Sequence, residues 1–282
     1  MSDLTDRDRS LADLPESLAT GAAAAFFVRV RTESGSALVN FVWRHLATLP
    51  EGAAEWCWNV VRMTDAPDTA AVLSAQADKA AAALAGPSPR LPHFSAEAAE
   101  ILAAYNRNNA MNLARMGLLL SALDAPAPRQ ATVQTTVQAV PATLPESPRA
   151  DTALPPLPSF ATLGSDDTDA IAALSRAGPG STSGVSPSLW RHLTVQPGLV
   201  PAIADQLANT LSTEIFAAAH ADLRAAATPR QTPATPAPPS AFDSDLVRAS
   251  VMSFAERIAE LTLAGRILAI WLTPAPQQRA DT

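Results

Sequence analysis

The sequence has too few cysteines and histidines for a disulfide framework or a zinc module. Its 282 residues include one cysteine, Cys57, and four histidines that lie far apart in the chain. One thiol cannot form an internal disulfide, and metal-binding motifs need closely spaced ligands. We therefore expect no metal, no cofactor and a reducing compartment. Cys57 is expected to pack as a small hydrophobic residue.

Long apolar runs and basic clusters are also missing. No stretch of about 18 uncharged apolar residues occurs, and the N-terminus has no basic start followed by an apolar core. The chain has a single lysine, Lys79, and a formal net charge of −7, which is unlike a nucleic-acid-binding surface. The sequence predicts a cytoplasmic protein with neither membrane nor nucleic acid as a partner. It does not decide between a monomer and a homodimer.

Residues that favour strands are scarce as well. Aromatic residues make up 5% of the chain, whereas alanine alone accounts for 60 residues. Alanine has the highest helix propensity, and aromatic residues are among those enriched in strands. This composition predicts an all-α fold.

Prolines, of which the chain has 25, divide it into two halves. The segment 124–160 contains eight of them and has no sustained apolar period, as is typical of an extended linker. We predict a first helical repeat over 18–123, a proline-rich linker over 124–163 and a second helical repeat over 164–273. The two repeats are expected to form one compact unit, an intramolecular pseudo-dimer.

An identical tetrapeptide occurs once in each half. Trp-Arg-His-Leu stands at 43–46 and again at 190–193, and in each copy three residues separate the leucine from a proline. Helical patterns follow at 51–63 and 198–211, and the halves close with further helical patterns at 96–123 and 245–272. The favoured interpretation is a packed corner in which the histidine bonds a backbone carbonyl; a catalytic histidine pair is the alternative.

The helix predicted over 96–123 carries a cluster of asparagines. On a helix, Leu102, Tyr105, Asn109, Asn112 and Met116 share one face, so two amides and a phenol lie on a stripe that begins and ends apolar. Such amides are candidates for the interior, where N–H donors suit a bound carboxylate. The alternative interpretation is a network of amides between helices.

Other polar segments are interpreted as structural. Glu256 with Arg257, and Glu260 with Arg266, have the spacing of solvated helix faces. The glycine-rich segment 178–184 has no lysine and no preceding strand, so a phosphate-binding loop is not expected there. It is predicted to be a flexible loop.

Three blocks of the chain resemble the group I, DehI-type 2-haloacid dehalogenases. They are residues 36–50, residues 104–109 and residues 187–197, which include both copies of the tetrapeptide. The resemblance implies an all-helical fold with two pseudo-repeats and one active site between them. It also implies a reaction in which an aspartate activates water for direct attack on the halogen-bearing carbon.

The resemblance assigns site residues position by position. Asn109 matches the family's active-site asparagine, Phe41 an aromatic residue of the pocket wall, and Ser188 the serine that precedes the catalytic aspartate. Leu189 occupies the position of that aspartate. A leucine cannot accept a proton, so the resemblance implies hydrolysis only where another carboxylate replaces it.

Two further departures make the predicted pocket more apolar. Leu38 stands where the family has a tryptophan, and Phe254 where it has a tyrosine. Glu260 and Asp205 are the carboxylates considered as replacements for the missing base.

Two functions from different classes follow from these residues. The first is a 2-haloacid-dehalogenase-like protein with a small-carboxylic-acid pocket between the repeats; if active, it is a hydrolase acting on carbon–halide bonds. The second is a non-catalytic helical protein that binds an apolar small molecule or a partner in the same cavity. The sequence does not decide whether the chain is an enzyme.

Overall fold

The regular structure of this protein is entirely helical wherever the structure describes it. The structure, a computed structural model, describes residues 11–36, 39–50, 52–63, 67–89, 91, 94–125, 154–229, 236, 238–239 and 242–272. No strand occurs in these ranges, so the predicted all-α class is confirmed. Leu38 and most of the predicted linker lie outside the described residues.

The described residues form ten α-helices. Those before the proline-rich segment are α1 (Gly21–Ser34), α2 (Phe41–Leu46), α3 (Ala53–Met63), α4 (Pro67–Leu84) and α5 (Ala96–Asp124). Those after it are α6 (Ser165–Arg176), α7 (Ser188–Leu193), α8 (Leu199–Leu211), α9 (Glu214–Ala227) and α10 (Ser244–Leu272). Short 3₁₀ helices cover Glu16–Leu18, Phe160–Thr162 and Pro179–Thr182.

The two groups of helices follow the same order of short and long elements. The helix after the first in each group, α2 and α7, has 6 residues, and the last, α5 and α10, has 29. The pseudo-repeat itself stays a prediction.

Contacts between the two groups hold the core together. The long helices α5 and α10 pack against each other, and each also packs against a short helix from the other group, α7 on α5 and α2 on α10. The buried apolar residues form one cluster that includes both groups. The fold therefore packs the first copy of the tetrapeptide, on α2, against α10 and the second copy, on α7, against α5.

Each repeated histidine joins an extended segment to the long helix of the other group. His45 Nδ1 lies 2.8 Å from the Ala12 carbonyl and its Nε2 lies 3.0 Å from Ser250 Oγ on α10. His192 Nε2 lies 3.1 Å from the Pro155 carbonyl. Both histidines are buried and bond backbone carbonyls, as the packing interpretation of the tetrapeptide expects.

Glu260 and Arg257 do not lie on a solvated helix face, so that prediction is wrong. Arg257 is 2% exposed and Glu260 0% exposed. Arg257 Nη1 donates to Glu260 Oε1 over 2.5 Å, and the backbone N–H of Gly180 donates to Oε2 over 2.8 Å. A Cβ on Gly178 would lie 2.6 Å from this Oε2 atom, and one on Gly180 would lie 2.9 Å from it. Because both residues are glycines, the backbone of 178–180 can lie directly against the Glu260 carboxylate.

Glu256 and Arg266, the other two charged residues predicted on solvated helix faces, also have partners other than those expected. Glu256 forms an ion pair with Arg224, and its carboxylate lies 3.6 Å from Nε2 of the neutral His220, while Arg266 pairs with Asp78 over 3.3 Å. The segment predicted to be a flexible loop contains the 3₁₀ helix Pro179–Thr182, with Gly180 buried. The segment is ordered because it closes over a buried charge pair.

Candidate functional site

Two of the predicted site residues form an aromatic contact between α2 and α10. Phe41 is the first residue of α2 and Phe254 lies on α10; their ring centroids are 5.2 Å apart with an interplanar angle of 83°. The His45 ring lies 5.6 Å from the Phe254 ring. Such an edge-to-face pair offers an apolar wall to a neighbouring group.

A second set of predicted residues lies between α5 and α7. Ser188 is the first residue of α7, and its side chain hydrogen-bonds Tyr105 of α5. Tyr105 Oη lies 2.7 Å from His192 Nδ1. Because the Pro155 carbonyl can only accept, His192 carries its proton on Nε2, so Nδ1 accepts and Tyr105 donates. Burial lowers the pKa of His192, which keeps the ring neutral in this chain.

Arg44 connects these two sets. Its guanidinium carbon lies 5.6 Å from the Phe41 ring centroid, and its charge, with that of Arg191, acts on Tyr105. Burial raises the pKa of Tyr105, and the two arginines oppose that rise. We call this region the seam. It is the contact of α2, α5, α7 and α10, and it holds Phe41, Tyr105, Ser188 and Phe254.

Asn109 lies on α5 one turn beyond Tyr105, on the same helix face. It is 7% exposed, and its Nδ2 has no hydrogen-bond partner among the described residues. The predicted stripe is buried at Leu102, Asn109, Asn112 and Met116, and Tyr105 is half-buried. Asn109 thus adds a buried N–H donor without a described partner to the α5 face that carries Tyr105.

Leu189 is fully buried in the core. It is 0% exposed and precedes Trp190 as the buried Val42 precedes Trp43. No proton acceptor stands at the position that the resemblance assigns to the base.

The two carboxylates considered as replacements are placed elsewhere. Both oxygens of Glu260 are bonded, one to Arg257 and one to the Gly180 N–H, and burial raises the pKa of this carboxyl while Arg257 lowers it. Asp205 is exposed on α8. The carboxylate that the fold does bring to the seam is Asp13, through its two hydrogen bonds with Arg44.

Sequence reasoning missed the polar roles of Tyr105, Arg44 and Arg191. It gave the two arginines no polar role and placed Tyr105 as a phenol on a stripe that begins and ends apolar. The repeated tetrapeptide is the signal that singles out Arg44 and Arg191, because it gives them equivalent positions in two halves that are expected to pack together. That they act on each other depends on how the halves pack, which the sequence alone does not show.

One cleft of about 460 Å³ lies beside the seam, between the first half of α5 and the end of α10. Asn106 and Leu102 line it on α5, and Ala269 and Leu272 line it on α10. None of the predicted site residues lines this cleft. Its walls are mostly apolar, with Arg107 and Arg266 as the charged members.

The chain was compared with protein-family models and with curated proteins. No protein-family model matches it, and no curated protein matches it. Within the described residues, no cluster of histidine, cysteine or carboxylate side chains has the arrangement of a metal site. No described helix combines the length and apolar character that a membrane span requires.

Proposed function

We propose that the chain binds a small carboxylic acid at the seam, as a divergent relative of the group I 2-haloacid dehalogenases that lacks the hydrolytic base. The observation that carries this proposal is the Asn109 side chain, whose buried Nδ2 has no partner among the described residues. A buried amide donor without a partner costs free energy, which a bound acceptor would recover.

The groups of the seam fit a short acid with an apolar 2-substituent. The Phe41–Phe254 pair supplies apolar surface, and Asn109 supplies the N–H donor, because the hydroxyl protons of Ser188 and Tyr105 are already bonded within the seam. The ligand would thus contact apolar carbon and polar donors at the same time, as ligands in small-molecule sites commonly do.

Hydrolysis requires a group that takes a proton from water. Leu189 cannot do so, and removal of a general base typically lowers a rate by about 10²- to 10⁴-fold. The proposed activity is therefore acid binding with the carbon–halogen bond left intact.

The mostly apolar cleft between α5 and α10 favours a second candidate, a protein that binds an uncharged apolar ligand. The two candidates differ in the residue on which binding depends. An apolar ligand in the cleft would be indifferent to Asn109, which does not line it.

A calorimetric titration with 2-chloropropionate tests the proposal. We expect saturable binding to the wild type, a loss of about 10- to 100-fold in affinity in Asn109→Ala, since a hydrogen bond to a charged group is removed, and no change in Asn108→Ala. Asn108 is the matched control because it is a half-buried amide on the same helix. Absence of binding, or equal binding by both variants, would contradict the proposal.

A further inference from the structure

Arg191 is a half-buried cation without a counter-ion in the described part of the chain. Its Nε is buried without a hydrogen-bond partner, and no ion pair joins it to a described acid. The contact that its guanidinium makes is with an aromatic face, since its carbon lies 4.8 Å from the Phe160 ring centroid. A ring face interacts with the charge but accepts none of the N–H donors in the conventional way. Within the described part of the chain, these donors are therefore left for a further acceptor.

Arg44, at the same position of the other tetrapeptide, is fully occupied. Its Nε and Nη2 donate to the two oxygens of Asp13 over 2.8 and 3.0 Å, and its Nη1 donates to the Val39 carbonyl over 3.2 Å. The same position in two similar helices therefore holds one neutralised arginine and one that is not.

The charges around Arg191 leave an excess of one positive charge. Arg44 and Arg191 act on each other, and Asp13 acts on Arg191, so these three groups share one region. Burial lowers the pKa of Arg191, but an arginine stays protonated in proteins at neutral pH. His192 is neutral, and Tyr105 has given its hydrogen bond to it. An anion would balance this group of charges.

We propose that the Arg191 guanidinium anchors the ligand's anionic group, so that the seam selects small carboxylates over their uncharged amides and esters. The inference rests on the proposed function, because it concerns the same ligand at the same seam. It adds that charge, in addition to the Asn109 donor, decides which molecules bind. Arginine presents several N–H donors in a planar fork that matches a carboxylate, so the pair has both charge and geometry in its favour.

Calorimetric titration of an acid and its amide tests this inference. We expect the wild type to bind 2-chloropropionate more tightly than 2-chloropropionamide. Arg191→Gln should lower the affinity for the acid by about 10- to 100-fold and leave that for the amide unchanged. Arg176→Gln is the control, because it removes the same charge from an exposed arginine on α6 and should bind both compounds as the wild type does.

A gain of affinity provides a test that misfolding cannot imitate. Asp13→Asn removes the negative charge that partly neutralises the region, so we expect tighter binding of the acid and no change for the amide. Equal acid binding by wild type, Arg191→Gln and Asp13→Asn, with binding still lost in Asn109→Ala, would overturn this inference alone. Binding of neither compound by the wild type would overturn the proposed function with it.

Discussion

Asparagine amides stand at every third residue on the buried face of α5, but they do different things. Asn106 Nδ2 donates to the Gly265 carbonyl of α10 over 3.1 Å, so this amide joins two helices. Asn109 Nδ2 and Asn112 Oδ1 are buried without partners among the described residues. Helical spacing predicts that such amides face inward. It cannot predict which of them bonds the neighbouring helix, because that depends on a carbonyl more than 150 residues away in the chain.

The buried charge pair on α10 leads to a prediction about stability. Glu260→Gln leaves the Arg257 guanidinium buried without a counter-charge, so we expect the free energy of unfolding to fall by about 3–5 kcal/mol. Urea denaturation measures this loss. Asp124→Asn, which breaks the exposed pair with Arg248, is the control and should leave stability unchanged. Similar losses in both variants would show that burial does not distinguish the two pairs.

The sequence predicts the long helices closely and their buried polar contacts poorly. Helical patterns over 96–123 and 245–272 correspond to the observed Ala96–Asp124 and Ser244–Leu272, because a long apolar period leaves few alternatives. Arg257 and Glu260 were assigned to solvated faces with other partners, because a charged side chain looks the same in the sequence on an exposed and on a buried face. Its burial depends on the glycines of 178–180, which are distant in sequence and lack the Cβ that would prevent the approach.

Close packing of α5 against α9 depends on Gly117. A Cβ at this position would lie 1.9 Å from the Ala227 carbonyl oxygen at the end of α9. Gly117→Ala should therefore lower the free energy of unfolding by about 1–3 kcal/mol, although alanine is the better helix former.

Gly164→Ser is the control for this packing prediction. No atom lies within 4 Å of its added Cβ, and serine is a favoured residue at this helix N-cap. We expect a change within about 0.5 kcal/mol in urea denaturation. The packing argument is wrong if Gly117→Ala is as stable as the wild type.

In the molecule as a whole, reciprocal contacts hold the two groups of helices together. Each short helix packs against the long helix of the other group, and each repeated histidine bonds an extended segment of the chain. The seam lies where these contacts meet. Similar elements carry different side chains there: the first residue of α2 is Phe41, whereas the first residue of α7 is Ser188. That asymmetry is the reason why one side of the seam is aromatic and the other is hydroxylic.

Three buried histidines make the stability of the fold sensitive to acid. Burial lowers the pKa of His45, His192 and His220 below the ordinary value of 6.5. The unfolded chain therefore takes up protons at a higher pH than the folded protein, and stability present above pH 6.5 is lost as the pH falls through the lowered values. Burial also raises the pKa of the Glu260 and Asp167 carboxyl groups, and this acts in the opposite direction.

Urea denaturation at pH 7.5 and 5.5 measures this dependence. We expect the wild type to be less stable at pH 5.5, and His220→Asn to show a smaller difference between the two pH values because one of the three groups is removed. Equal stability of the wild type at both values would contradict the assignment of these histidines as neutral in the fold.

Whether the chain binds an acid without cleaving its carbon–halogen bond is measured by a calorimetric titration of the wild-type protein with D- and L-2-chloropropionate, followed by measurement of free chloride in the same sample. Saturable binding without chloride is the predicted result, since donors for the acid are present and a base at position 189 is not. Release of chloride would contradict the account and would direct attention to Asp13, the carboxylate that reaches the seam. Absence of binding would show that the unpartnered Asn109 donor is not a ligand site.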